Sequence, residues 1–302
     1  MEYREFLENV KAEIKNYLPE EYQEHEVCLH SKYMNGQKLE GIMLLSGGGI
    51  SPILYLEKFY DDYTKGGSSK EETYASIGQE YQEADLFGKE IPIPDCSHLE
   101  NYLEQSFLQA VNYERNKSWL QGDPYIVLHD IVFVPYIKIS QDAKMRITNS
   151  LMTQIDMKKE DLLKYVLENN PKVLQPQFKS IQATLNELMG QQFEEEEYPA
   201  MYVLTGKEKK YGASLIANRE LMQAIRESLG EDYYILPSSI HETLILPQSN
   251  APSPQELKAM VMEVNRSTVE AEEFLSDNVY KYNESQKAIE LAVSDKLRER
   301  RR

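Results

Sequence analysis

The sequence predicts an α+β fold: two mixed units with short antiparallel or mixed sheets and packed helices. Three observations predict it. Helical and strand periodicities succeed one another without the regular βαβ rhythm of a doubly wound sheet. Asn35-Gly36 stands between two strand-like runs, where both turn residues need positive φ, so a hairpin is expected. Ser-x-x-Glu boxes at Ser69–Glu72, Ser97–Glu100 and Ser253–Glu256 mark helix starts, because each serine can accept from an orphan N–H while the glutamate reaches back.

The N-terminal segment is helical. Tyr3, Phe6, Val10, Ile14 and Tyr17 recur at helical spacing ahead of Pro19, which predicts a helix over 3–18. Strands are expected at 26–34 and 38–45, ended by Gly47-Gly48-Gly49. The run ILYLEKFYDDY after Ser51-Pro52 reads as a strand or a helix. Helices are expected near 70–85 and 98–120, joined by a linker holding Pro92 and Pro94. Residues 125–140 are β-branched and aromatic, hence strand, with Pro135 suggesting an edge or a bulge. MRIT at 145–148 should pair with that strand. From Asn149 the pattern is helical, with Leu162 and Val166, then Phe178, Ile181, Leu185 and Leu188, on short helices separated by Pro171 and Pro176. After Gly190 and the run Glu194–Glu197, strands are expected at 201–205 and 211–217. Asn218 and Gly230 bracket a helix carrying Leu221, Met222, Ile225 and Leu229. Strands at 232–237 and 243–247 flank the turn SSIHE, a helix runs from Ser253 to about Ser267, 278–282 is extended, and the tail is helical.

This order suggests an N-terminal α+β unit over 1–148, a helical connector over 149–190, a C-terminal α+β unit over 199–285 and a basic helical tail over 286–302. The 302 residues carry a formal charge of −17. Eleven acidic and four basic side chains fall between 51 and 100, whereas 201–302 is nearly balanced. No basic stripe runs through the body of the chain, so nucleic acid is not an expected partner. The short run KLRERRR at 296–302 reads most simply as a solvated helix end. No window is apolar enough to span a bilayer, and MEYREFLENVKAEIKNYL lacks the apolar core of a signal peptide. With Cys28 and Cys96 far apart and in no CxxC spacing, the expected location is cytoplasmic. Tyrosine is abundant at 21 residues, which suits either a contact surface for a protein partner or a half-wet core edge.

No pattern in the sequence commits the chain to a chemistry. Neither a phosphate loop nor a dinucleotide fingerprint is present, and no cofactor is expected. Two metal-centred readings can be formed. His129-Asp130 resembles a phosphohydrolase pair, and Asp130, Asp142 and Lys144 mimic the carboxylate–lysine set of a metal-dependent nuclease. Against both, a structural histidine at a strand edge is the plainer reading. Ser238, Ser239, His241 and Glu242 hold the residue types of a Ser/His hydrolase. Their closeness in sequence argues instead for a serine-capped turn with His241 packed beside it.

Several blocks form a recognisable set: NGQKLEGIMLL, GISPILYLEKFYDDY, NYERNK, ITNSLM, YGASLIAN…LMQAI…DYYILPSSIHETLILP and LSDNVYKYN. With them the chain resembles, over about residues 5–285 and most specifically over 211–247, a bacterial, Firmicutes-type family catalogued only as a domain of unknown function. The blocks ITNSLM…DLLKYVLENN and GASLIAN…LPSS are also similar to a second uncharacterised Firmicutes family. The resemblance implies a cytosolic bacterial protein and carries no functional residues. The expected function is a non-enzymatic binding or interaction protein, with hydrolase and metal-dependent nuclease as alternatives.

Overall fold

A computed structural model of the chain describes residues 2–45, 53–84, 96–140, 143–153, 157–189 and 200–293. The chain divides into two compact units, Met1–Ile93 and Pro94–Arg302. The expected boundary near 148 therefore runs through a unit. Leu108, Phe133, Leu162, Val166, Leu204 and Ile235 share one core, so 94–148 and the expected connector belong with the C-terminal strands.

In the first unit, helix α1 (Tyr3–Glu13) buries Phe6, Leu7 and Val10. Strands β1 (Glu26–Met34) and β2 (Gln37–Leu45) form the expected antiparallel hairpin, with Met34 opposite Gln37. Asn35 and Gly36 have φ of 51° and 76°, the positive values that such a two-residue turn demands. The ambiguous run resolves into both elements: β3 (Leu54–Tyr55) pairs with β2, and α2 (Glu57–Thr64) comes next. Helix α3 (Lys70–Ala84) starts at the Ser69–Glu72 box, whose two reciprocal hydrogen bonds both form. The Tyr81 hydroxyl accepts from the Leu44 N–H, which ties α3 to β2. Gly47-Gly48-Gly49 and the Pro92/Pro94 linker lie outside the described residues.

The second unit begins with 3-10 turns over Cys96–Gln105. The single helix expected over 98–120 is instead these turns, strand β4 (Ser106–Asn112) and helix α4 (Tyr113–Leu120). Every residue of β4 is buried, so it shows no two-residue alternation. Strands β5 (Ile126–Leu128), β6 (Ile131–Lys138) and β7 (Lys144–Arg146) complete a sheet centred on β6, which pairs with all three others. Pro135 sits in regular register opposite Leu108, in mid-strand rather than at an edge or bulge. It is tolerated because its nitrogen, which has no hydrogen to donate, faces the gap between β5, paired to 131–133, and β7, paired to 136–138. Its carbonyl accepts from Ile147 N–H on that same side.

Short α5 (Asn149–Met152) and long α6 (Lys159–Leu174) come next. Pro171 lies inside α6 and does not end it. The expected helix around Phe178 is strand β8 (Pro176–Ser180), which leads into α7 (Ile181–Met189). Then come β9 (Tyr202–Gly206), α8 (Arg219–Leu229), β10 (Tyr233–Pro237), β11 (Glu242–Pro247), α9 (Pro254–Ser267), β12 (Tyr280–Asn283) and β13 (Ala288–Leu291). Six of these strands form an antiparallel sheet in the order β13-β12-β10-β11-β9-β8. The tail expected to be helical contains β13, and KLRERRR and Glu194–Glu197 lie outside the described residues. Asn218, Gly230 and the Ser253–Glu256 box cap as expected. Among the described tyrosines, Tyr22, Tyr74, Tyr81, Tyr233, Tyr280 and Tyr282 are buried, most of the others are half-buried, and Tyr33 and Tyr165 are exposed.

The free edge of β4 is covered by two consecutive asparagines of α6. Asn170 Oδ1 accepts from Leu108 N–H at 2.8 Å, and its amide nitrogen donates to Ser214. Asn169 donates to the carbonyls of Glu104 and Ser106. These amides stand in for a neighbouring strand and satisfy backbone groups that burial would otherwise orphan. Asn170→Leu leaves the Leu108 N–H without a partner. It should cost about 2–3 kcal/mol, read as a lowered urea midpoint at unchanged slope.

Candidate functional site

His129 and Asp130 form the two-residue turn joining β5 to β6, with His129 at φ 56°. Both are engaged within the protein. Asp130 accepts from the Tyr280 hydroxyl at 2.6 Å on one oxygen and from the Ser276 hydroxyl at 2.7 Å on the other. Burial, reinforced by the Asp130 charge, pushes the Tyr280 phenol far above its ordinary range. His129 Nε2 lies 3.1 Å from the Ile289 carbonyl, so that nitrogen carries the proton, and the ring stacks on Tyr280. Nearby, Asn112 caps α4 through Arg115 N–H and donates to the Leu275 carbonyl, while the Arg115 guanidinium lies 3.4 Å from the Phe274 ring centroid. The blocks NYERNK and LSDNVYKYN thus meet at one corner.

This corner is a clamp rather than an open ligand set. Among the described residues, no group of three or more His, Cys, Asp and Glu side chains is placed to hold a metal ion. Asp142 lies outside the described residues. Asp130 and Lys144 stand at opposite ends of β6, since Asp130 precedes Ile131 and Lys144 pairs with Lys138. At strand rise that is roughly 26 Å, so the structure does not bring them together.

The Ser238–Glu242 segment turns the chain from β10 into β11. Ser239 Oγ accepts from His241 N–H at 3.0 Å, and Ile240 N–H donates to the Glu273 carbonyl. The serine therefore supports the turn, as its sequence position suggests. Ser238 lies elsewhere, along an apolar groove beside α9. The His241 ring uses both nitrogens: Nδ1 accepts from Tyr211 N–H at 3.2 Å, and Nε2 faces Glu273 Oε1 at 3.3 Å. A carboxylate thus orients the imidazole. The position where a nucleophile's hydroxyl would sit in a triad is taken by a backbone N–H. Burial depresses the His241 pKa, Glu273 opposes this, and Lys144 and Lys210 add to the depression. Burial also raises the Glu242 carboxyl, against the pull of Lys209.

Tyr211 and Gly212 fix this geometry. The expected strand over 211–217 is a 3-10 segment, Gly212–Ala217, entered through Tyr211 in the left-handed region at φ 60°. A Cβ on Gly212 would lie 2.5 Å from Gly206 N, 2.6 Å from Thr205 Cα and 2.7 Å from the His241 carbonyl oxygen. Only glycine lets this segment press against β9 and the turn before β11. The Tyr211 ring packs on Phe107 and His241, and the Lys144 ammonium sits 3.5 Å from its centroid while donating to Gln109 Oε1. Sequence reasoning did not single out Tyr211, Glu273, Ser276 or Tyr280. For Tyr211, Ser276 and Tyr280 the one signal was membership of the blocks YGASLIAN and LSDNVYKYN; Glu273 had none.

The model of DUF5688, a family of unknown function, matches residues 3–284. The chain belongs to DUF5688. No curated protein and no solved structure matches it. The DUF5688 match takes in both units, the Asp130 clamp and the His241 cluster, and ends before β13. No helix among the described residues is long and apolar enough to cross a membrane.

Gly212→Ala should destabilise the chain by about 3 kcal/mol, because the blocking atoms are backbone, measured by urea unfolding. His241 is held neutral in the folded state, so its contribution is fully present above about pH 6.5 and is lost as pH falls through the depressed folded value. His241→Gln keeps an acceptor and a donor. It should flatten the loss of thermal stability between pH 7 and pH 5; an unchanged slope assigns that loss to other groups.

Proposed function

We propose that the protein is a cytosolic, non-enzymatic binding protein that receives an apolar-faced segment of a protein partner in the groove between α9 and strands β10 and β11. The observation that carries this reading is the groove itself. It has a volume of about 130 Å³ and is lined by Leu236, Leu244, Leu246, Met260 and Val264 among others. Leu257, Met260, Val261 and Val264 recur at helical spacing, i, i+3, i+4 and i+7. Leu257 and Val261 are buried against the sheet, whereas Met260 and Val264 remain 51% and 46% exposed at the mouth. An unbranched methionine beside such a groove adapts to a partner's shape. Further support comes from the candidate catalytic groups, since His129, Asp130 and both nitrogens of His241 are spent on internal partners. The free thiol of half-buried Cys28 accords with a reducing compartment.

The test is photo-cross-linking in cells with a photoreactive residue at position 260. A discrete protein adduct is expected that Val264→Glu abolishes. A photoreactive residue at Val127, also exposed but on β5, should give none. Equal adducts at 127 and 260, or adducts indifferent to Val264→Glu, would overturn the reading. The hydrolase alternative requires a different result: hydrolysis of an activated ester by the purified protein, lost in Ser239→Ala and in His241→Gln.

A further inference from the structure

The first unit carries a long open sheet edge. Among the described residues its sheet runs in the order β1-β2-β3, so β1 is an outer strand, and it pairs with β2 without a break over all nine residues from Glu26 to Met34. Strands are most often about 5–6 residues long, and exposed edges are commonly shortened, bulged or blocked by proline. β1 has no bulge and no proline. Which of its backbone groups point outward follows from β2. Leu44 N–H donates to the Tyr81 hydroxyl, Glu40 N–H donates to Glu57, and the Glu40 carbonyl accepts from Leu56 N–H. Glu40 and Leu44 thus turn their groups away from β1. In an antiparallel pair the residues opposite them, Ser31 and Val27, turn theirs away from β2, and the same alternation adds Leu29 and Tyr33. Among the described residues, no N–H or C=O of these four meets a hydrogen-bond partner. Ser31 and Tyr33 are exposed, Tyr33 at 62%.

We propose that β1 pairs antiparallel with β1 of a second copy of this chain, about a two-fold axis at Leu29. Such an interface is self-complementary, because the same edge supplies both sides. In this register Leu29 faces Leu29 of the second copy and Val27 faces its Ser31, each pair exchanging both backbone hydrogen bonds. An axis at Cys28 or at His30 would also match outward groups, and the charges choose among the three. With the axis at Leu29, Glu26 stands opposite Lys32 of the second copy, once at each end, and opposite charges in that position stabilise strand pairing. With the axis at His30, Lys32 faces Cys28 and the two His30 rings face each other. With the axis at Cys28, Lys32 falls opposite a position before the strand begins. On the other face, Leu29 is half-buried against the core of its unit, so two Leu29 side chains at the axis extend that apolar layer. The edge lies in the first unit and shares no residue with the α9 groove, so either proposal can fail alone.

The experiment is sedimentation velocity of the full chain over a dilution series. A reversible dimer is expected. Ser31→Pro removes an outward N–H and no backbone hydrogen bond to β2, at the cost of the exposed bond from its hydroxyl to Glu40, so the variant should fold and sediment as a monomer. Lys32→Glu sets like charges opposite one another at both ends and should weaken the dimer about tenfold. Glu26→Lys/Lys32→Glu exchanges the charges and should restore it. A wild-type chain that is monomeric throughout overturns the proposal, even if its edge captures a strand of another protein. So does a dimer that a folded Ser31→Pro variant leaves intact. A dimer indifferent to Lys32→Glu, or one that the double exchange does not restore, overturns it as well, and this decides the matter if Ser31→Pro does not fold.

Discussion

The second unit depends on how the open edge of β4 is closed. A buried strand edge cannot be left without hydrogen-bond partners, and among the described residues no further strand lies beside it. Asn169 and Asn170 supply the missing donors and acceptor from the last turns of α6. Because Asn170 also holds Ser214, the same amide anchors the 3-10 segment whose entry residue is Tyr211. Tyr211 in turn gives its N–H to His241 and its ring to Lys144. One side-chain amide therefore connects the edge of one sheet to both the imidazole cluster and Lys144. An apolar residue of similar size would fill the space and break that connection.

Much of the fold was legible where the determinants are local. The Asn35-Gly36 turn, the capping boxes at Ser69 and Ser253, the Asn218 cap and Gly230 all require only neighbours in sequence, and each forms as read. Misreadings fall where tertiary packing decides. β4 is buried on both faces and so carries no alternating pattern, while the 211–217 segment is apolar and β-branched in part yet is bent by the backbone contact at Gly212. Pro135 suggests an edge or a bulge, yet it stands in mid-strand, its nitrogen facing the interval between the residues paired to β5 and those paired to β7.

The sites were less legible. His241 was visible as a polar residue beside serines, but its actual partners, Tyr211 and Glu273, lie 30 and 32 positions away in sequence. No spacing rule links them. Adjacency to a histidine suggests a metal set for Asp130; its partners are instead Ser276 and Tyr280. One concavity is lined by Lys138 of β6, Lys144 of β7 and Lys210 of the loop after β9. Lys138, Lys144 and Lys210 stand 6 and 66 positions apart, and the topology alone brings them together.

The Asp130 clamp also sets a schedule. Its partners Ser276 and Tyr280 are 146 and 150 residues downstream. At synthesis rates of about 5–20 residues per second, the turn between β5 and β6 waits on the order of 7–30 s before they leave the ribosome. The β1–β2 hairpin and the α1 and α3 helices of the first unit have all their core partners within the first 93 residues. The two units are thus separated in time: the first can close while the second is still being made. Throughout that interval neither of the two hydroxyls that hold the Asp130 carboxylate has yet been made.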